Sequence, residues 1–474
     1  MVERWLARVL PAVTAVLGAV ALWAWVSAGP VRQVSLRLPG ADGAGQAKGE
    51  TGDVDPASDV RLEQLDGVAA EIAGSWPRFR GGQSDNINRE SIRLLREWPG
   101  PGPTMLWSVE LGEGYAGPAV HNGRAYVLDY DRAEERDVLR CLSLADGRDI
   151  WRLSYPVRIK RNHGMSRTVP AVTDKYVVTL GPKCQVMCAE AETGRLLWFL
   201  DLVREYETEV PLWYAGQCPL IDNDRAILAP GGQALMIAVD GATGQVAWEA
   251  PNPDGWQMTH SSIMPMELGG RRTYVYCGSG GVAGVSAEDG QVLWKTTEWK
   301  MRTNVPSPVI LDEGRVFLSA GYDMGSMMIQ VEEQDGRCSV RTLYRLKAGT
   351  FGADQQTPIW YEGYIYGVRP GEGGQLACLD PAEGRVVWSS GEEHKVGLGP
   401  LVIGDGLIFV MNDTGLLSLA EAKPEGFSLL AEAQVLAGRD GQEPHDAWGP
   451  MALVAGRLLL RDLTRMVCLD VAAR

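Results

Sequence analysis

One local pattern recurs eight times along this chain, and eight copies of a short-stranded unit are enough to close a ring. In each copy a proline opens an apolar, β-rich run. The copies are Gly117-Pro118, Val169-Pro170, Cys218-Pro219, Met264-Pro265, Ser307-Pro308, Thr357-Pro358, Gly399-Pro400 and Gly449-Pro450, spaced 42 to 52 residues apart. A second signal runs in phase: an acid or threonine, then glycine, then a short apolar stretch ending in tryptophan. It reads Asp146-Gly147 to Trp151, Thr193-Gly194 to Trp198, Thr243-Gly244 to Trp248, Asp289-Gly290 to Trp294 and Glu383-Gly384 to Trp388. A period in the forties with several short strands per unit marks a β-propeller. The expected fold is all-β: an eight-bladed β-propeller of four-stranded blades.

The second unit shows the build. Strand A opens at Pro170, strand B covers residues 176–180, strand C 185–189 and strand D 196–198, with a turn at Glu192-Thr193-Gly194. Glycine there supplies the positive φ that a tight hairpin needs. The tryptophan ending strand D is expected to pack on the adjoining blade. A lone strand-D copy, residues 105–111, stands before the first repeat, and the chain stops after a strand-C copy, residues 466–470. Blade eight is therefore expected to combine the two, which ties the ends together and leaves no open edge. Tyr344 stands near the tryptophan position of unit five, and unit seven is degenerate around Phe427. Cys141, Cys188 and Cys378 each precede the repeat tryptophan by ten residues, and Cys468 fills the same strand-C slot. Small buried thiols explain them.

The N-terminus is different in kind. From Val9 to Val31 no residue is charged, a run of 23 that can cross a bilayer as a helix. Arg4 and Arg8 precede it, so the remainder would be exported. Val26-Ser27-Ala28 also resembles a cleavage site. Residues 1–31 are thus a signal anchor or a signal peptide, placing the protein at the periplasmic face of the inner membrane, anchored or released. Residues 32–74 read as a flexible tether. Within it Leu62, Leu65, Val68, Ala69 and Ile72 fall at helical spacing, so a short helix is expected over 61–73. The propeller is expected over 75–474. A net charge of −15 argues against a nucleic-acid partner, because phosphate binding needs a basic surface.

The units resemble the pyrroloquinoline-quinone-like (PQQ-like) repeat; Ile237-Ala-Val-Asp240-Gly-Ala-Thr243-Gly244-Gln-Val-Ala-Trp248 is a near-ideal copy. Ser75-Trp76-Pro77-Arg78-Phe79-Arg80-Gly81, Leu94-Leu95, Trp98-Pro99 and Gly112-Glu-Gly-Tyr115 are similar to the opening of a group of exported bacterial PQQ-like propellers, mostly without assigned activity. The resemblance implies one of two functions. Quinoprotein dehydrogenases of the superfamily hold the quinone over the channel mouth, with a calcium or lanthanide ion and a disulfide of adjacent cysteines. Non-catalytic members use the propeller as a docking surface. This chain has no Cys-Cys pair, so PQQ and calcium are not supported and no cofactor is expected. The first expectation is a non-catalytic exported scaffold that binds a protein or other envelope partner. The alternative is a quinoprotein-like or metal-assisted oxidoreductase acting on alcohols or carbohydrates.

In a propeller, the loops joining strand D to the next strand A crowd around one channel mouth, and function sits on such loops. Four of the five histidines, His163, His260, His394 and His445, precede repeat prolines by five to seven residues. All four are expected at that mouth, beside Glu209, Asp354, Glu393 and Asp446. Histidine with carboxylate is metal-ligand chemistry, and unperturbed imidazoles titrate near neutral pH. Tyr115, Trp213, Tyr214, Asn304, Gln356 and Trp448 join the rim, with Gln217 and Gln355. Aromatic faces beside amides grip a small polar ligand, a sugar or a peptide. A metal site, a polar pocket and plain loop packing are all open on these residues.

Overall fold

The computed structural model describes residues 17–18, 56–160, 164–370, 373–436 and 446–473. The expected signal or anchor segment lies outside them, apart from Leu17 and Gly18. Among the described residues no helix is long and apolar enough to cross a membrane.

The described residues from 56 onward belong to one compact unit. It is an eight-bladed β-propeller: eight antiparallel sheets follow one another along the chain, each with strands A to D in order. Blade two is typical, with Ala171–Val172, Tyr176–Leu180, Gln185–Glu190 and Leu196–Asp201. In blade eight, Ala452–Val454, Arg457–Arg461 and Arg465–Asp470 supply strands A to C, and Thr104–Glu110 is strand D, pairing antiparallel with Arg465–Asp470.

The tryptophan and the glycine of the repeat are partners across blades. Each indole N–H donates to a carbonyl in the C–D turn of the next blade: Trp107 to Leu144 at 3.0 Å, Trp151 to Glu192 at 3.0 Å, Trp198 to Gly241 at 2.9 Å and Trp248 to Ala287 at 3.1 Å. The turn glycine of that next blade lies against the ring face, Gly147 on Trp107 and Gly194 on Trp151. In blade five Tyr344 takes over, its hydroxyl donating to the Pro381 carbonyl at 2.9 Å. Trp294 is the exception, with no hydrogen-bond partner for its indole N–H among the described residues. Its neighbour, blade five, has a C–D hairpin of two ten-residue strands, Gly325–Gln334 and Arg337–Leu346, which carries its turn farther out.

Opposite each tryptophan sits the strand-C slot. Cys141, Cys188, Cys378 and Cys468 pair with Trp151, Trp198, Trp388 and Trp107, while Ala238 and Gly284 face Trp248 and Trp294. In all eight blades the C–D pairing slips by one residue just beyond this slot. Such a bulge adds twist and turns the outer strand toward its neighbour. All eight cysteines are free thiols.

The helix expected over 61–73 is not formed. Arg61–Gln64 is a β-strand on the outer edge of blade one, paired antiparallel with Asp149–Pro156. The chain continues extended, with Leu65 N–H donating to the Ile150 carbonyl and Ala70 N–H to the Gly123 carbonyl. An open strand edge offers these backbone groups partners that an isolated turn of helix cannot match. Leu62, Leu65 and Val68 stay exposed, so their spacing marks no buried stripe. Asp59 ahead of the strand pairs with the buried Arg136 at 2.9 Å.

Residues 75–88 then run along the inner edges of the blades. Ser75–Trp76 pairs with Ala119–His121, the innermost strand of blade one. The Pro77 carbonyl accepts from Val172 of blade two, and Arg78 donates to Ile221 of blade three at 3.2 Å. Arg80 is 3% exposed and donates to the Thr357 and Pro358 carbonyls of blade six, both at 2.9 Å. Ile87–Asn88 runs parallel to strand A of blade seven, and Asn88 reaches Leu453 of blade eight at 2.7 Å. The segment therefore touches the inner edges of six blades, and a cavity of about 440 Å³ stays open between it and the inner strands of blades four, five and six.

Candidate functional site

The loops entering successive A strands are stitched to one another around the axis. Val169 N–H donates to Cys218 Sγ at 3.2 Å, Cys218 N–H to Ser262 Oγ, Ser262 N–H to Ser307 Oγ and Ser307 N–H to Thr357 Oγ1, the last three at 2.9 Å. This chain of bonds sets the register between blades. Ser262 is the equivalent of Cys218, Ser307 and Thr357, so Ile263 holds the proline position in blade four. Pro265 instead lies inside strand A, Met264–Leu268, opposite Tyr274. A proline is tolerated there because strand A is the inner edge of its sheet.

In that register the third residue before the proline position is Tyr115, Arg167, Gly216, His260, Val305 and Gln355 in blades one to six. All six line one cavity of about 250 Å³ at the mouth. Trp213, Tyr322, Gln356 and Trp448 add to its wall with Cys218, Ser262 and Pro450, and Phe79 of the inner segment also lines it. Gly216 is small for a reason: a Cβ there would stand 2.8 Å from His260 Cδ2.

Two aromatic pairs frame the cavity. Tyr115 and Trp448 stack with centroids 5.4 Å apart; Trp213 and Tyr322 are 6.3 Å apart and within 13° of parallel. Trp448 is held by its indole N–H on Asp413 at 2.7 Å and by Gln356, which donates to its carbonyl at 3.1 Å. Trp213, Tyr214 and Tyr322 all have left-handed backbone, at φ +66°, +70° and +53°. Bulky side chains rarely adopt that region, and such strain collects at ligand clamps.

Arg167 sets its guanidinium 5.5 Å from the Tyr115 ring centre. Burial lowers its pKa to about 10, so it remains a cation at neutral pH. His260 is 6% exposed, with no hydrogen-bond partner for either ring nitrogen among the described residues. Burial and the Arg167 charge push its pKa down to about 4, although the Leu212 and Tyr214 carbonyls oppose the shift. The expected titration near neutrality therefore does not hold for this histidine. Cys218, also on the wall, has a thiol that burial raises to about 11.

Of the ten expected rim residues, Tyr115, Trp213, His260, Gln356 and Trp448 line the cavity. Tyr214 is buried behind it, its hydroxyl donating to the Lys160 carbonyl at 3.0 Å and accepting from Lys160 N–H at 2.9 Å. Asn304 is also buried and braces its own loop, accepting from Trp299 at 2.9 Å and donating to Pro306 at 2.6 Å. His394 packs against Phe427 with centroids 5.4 Å apart, its Nδ1 4.0 Å from Glu432, because its loop folds back through Ser390 Oγ donating to the His394 carbonyl. His163 and His445 lie outside the described residues. The four histidines are thus not gathered by what is described, since His260 and His394 have separate surroundings. Glu209 pairs with Arg302 on the surface, and Asp446 accepts from the Tyr115 hydroxyl at 3.3 Å. Among the described residues no group of three His, Cys, Asp or Glu could hold a metal ion. Phe79, Arg167 and Tyr322 were missed as wall residues. Counting three residues back from each proline finds Arg167; nothing periodic points to Phe79 or Tyr322.

Fold and mouth together define a PQQ-type β-propeller. The family model described as outer membrane protein assembly factor BamB matches residues 134–390, over half of the chain, and the chain belongs to that family. Among solved structures, BamB from Moraxella catarrhalis is similar at 14% identity and a TM-score of 0.52, over 77% of this chain and 99% of that one. Quinohemoprotein alcohol dehydrogenase from Comamonas testosteroni is similar at 12% identity and 0.59, over 84% and 81%. The computationally designed Ika8 protein follows at 11% and 0.51, over 78% and 100%. At these identities the structures show the fold alone. No curated protein matches the chain.

Proposed function

We propose that this protein is an exported propeller scaffold that binds an envelope partner at its channel mouth and catalyses no reaction. The observation carrying this reading is the mouth cavity itself: walled by two aromatic pairs, backed by Phe79, with three aromatics nearby held in strained left-handed backbone. That is the construction of a preformed binding site. The lining chemistry favours binding over turnover. Cys218 stays a thiol at neutral pH, and the thiolate is the nucleophile. His260 lacks the orienting carboxylate that a relayed base requires. Export is supported by the uncharged run from Val9 to Val31 and by a family named for the outer membrane.

The quinone reading fits the residues poorly. Calcium takes six to eight oxygen ligands, carboxylates prominent among them. The described wall presents the Arg167 cation and no Asp or Glu. Reconstitution with PQQ and calcium, followed by a dye-linked assay over alcohols and sugars, tests this reading. No turnover above background is expected; clear turnover overturns the non-catalytic assignment.

A further inference from the structure

We propose that the mouth cavity takes an acidic pyranose, a hexuronic acid presented as a free sugar or as the end of an acidic polysaccharide. This rests on the mouth being the binding face and adds the chemistry of what enters it.

Size comes first. A cavity of about 250 Å³ lies below the roughly 300–1,000 Å³ of pockets that enclose a drug-sized ligand. It has room for one substituted six-membered ring. Charge comes second. In a chain of net charge −15, the described wall of this cavity carries an arginine and no carboxylate. A guanidinium fork matches a carboxylate in shape as well as in sign.

Hydrogen bonding narrows the class further. His260 is buried on the wall with no well-formed hydrogen bond at either ring nitrogen; the nearby Leu212 and Tyr214 carbonyls can only accept, so its acceptor nitrogen has no donor among the described residues. A neutral imidazole offers one donor and one acceptor, and an amide such as Gln355 offers both kinds as well. A hydroxyl both donates and accepts, so neighbouring sugar hydroxyls satisfy these groups together. An aromatic carboxylate would meet Arg167 and the rings but leave the imidazole unpaired, which is costly for a buried group. Trp213 and Trp448 line the cavity while each stacks one face on a tyrosine, and an indole there suits the C–H face of a pyranose.

The test is calorimetric and fluorimetric titration of the full chain with glucuronate, glucose and benzoate. Glucuronate is expected to bind at least about tenfold tighter than either of the others. Polygalacturonate distinguishes the sources: tighter binding per sugar end assigns a polysaccharide, equal binding a free sugar. Arg167→Gln should bring glucuronate and glucose to within about twofold of each other. His260→Phe should weaken both sugars and leave benzoate unchanged. Benzoate matching glucuronate, or no saturable response to glucuronate, overturns the proposal. The wild-type comparison stands even where a variant fails to fold. If no sugar binds but a partner crosslinks at the mouth, only this inference falls.

Discussion

Substituting Gly147 by alanine tests the interlock between blades at the seam where the ring closes. Gly147 sits at φ +75°, and a Cβ there would stand 2.7 Å from Trp107 Cε3 and 2.9 Å from Cδ2. Trp107 belongs to the N-terminal strand of blade eight, so the clash falls on the blade-eight to blade-one contact. Gly336 is a matched control: φ is +77°, in a C–D turn again, with nothing within 4 Å of the built Cβ. Left-handed backbone costs an L-residue about 1–2 kcal/mol at either site. Overpacking adds about 1–3 kcal/mol at Gly147 alone. Gly336→Ala should therefore lose about 1–2 kcal/mol and Gly147→Ala about 2–5 kcal/mol. Urea midpoints of the full chain measure this, provided the slopes agree. Amide exchange should also speed up in Thr104–Glu110 and stay unchanged in blade four. Equal losses for the two variants would refute the interlock.

Trp198→Phe removes a buried hydrogen bond that Trp294 does not make. It should cost about 1 kcal/mol more than Trp294→Phe in the same urea assay, and equal costs would contradict the assignment. Asp137 is fully buried, and burial raises its pKa to about 7 despite hydrogen bonds from Ser166 and Tyr155. The unfolded carboxyl releases its proton near pH 4, so the stability this group contributes is present below that pH and lost as pH rises to about 7. Asp137→Asn cannot titrate, so wild type should lose up to about 1.4 kcal/mol per pH unit relative to it across that window; a flat difference would refute this. The His260 imidazole should titrate by NMR near pH 4, making mouth binding insensitive to pH between roughly 5.5 and 8. A midpoint above 6 would show that burial does not control it.

The fold class was legible because repetition multiplies a weak signal. One proline-led run says little, but eight in phase with a tryptophan and a turn glycine define a ring. The same periodicity misplaced blade four by two residues, since Pro265 looks like a repeat proline and Ile263, which holds the position, does not. The stretch around 61–73 misled for the opposite reason: it occurs once, and apolar spacing cannot reveal that a strand edge of blade one lies open beside it. At the mouth, Tyr115, Trp213, His260, Gln356 and Trp448 could be named from loop position. Arg167 was hidden until the interblade hydrogen bonds supplied the register. Phe79 comes from a non-repeating segment that runs along the inner edges of the blades, and Tyr322 from a B–C turn outside the counted loops. His394 shows the limit of position alone, because its loop folds back onto Phe427.

The mouth assignment is tested most directly by placing a photo-crosslinking amino acid at Tyr322 or at Leu343 and irradiating the native cell envelope. Tyr322 is 63% exposed beside the cavity, and Leu343 is 38% exposed on the outer strand of blade five. A discrete adduct from position 322 and none from 343 is the predicted result. An adduct from 343 alone, or equal labelling at both positions, would contradict a partner face at the channel mouth.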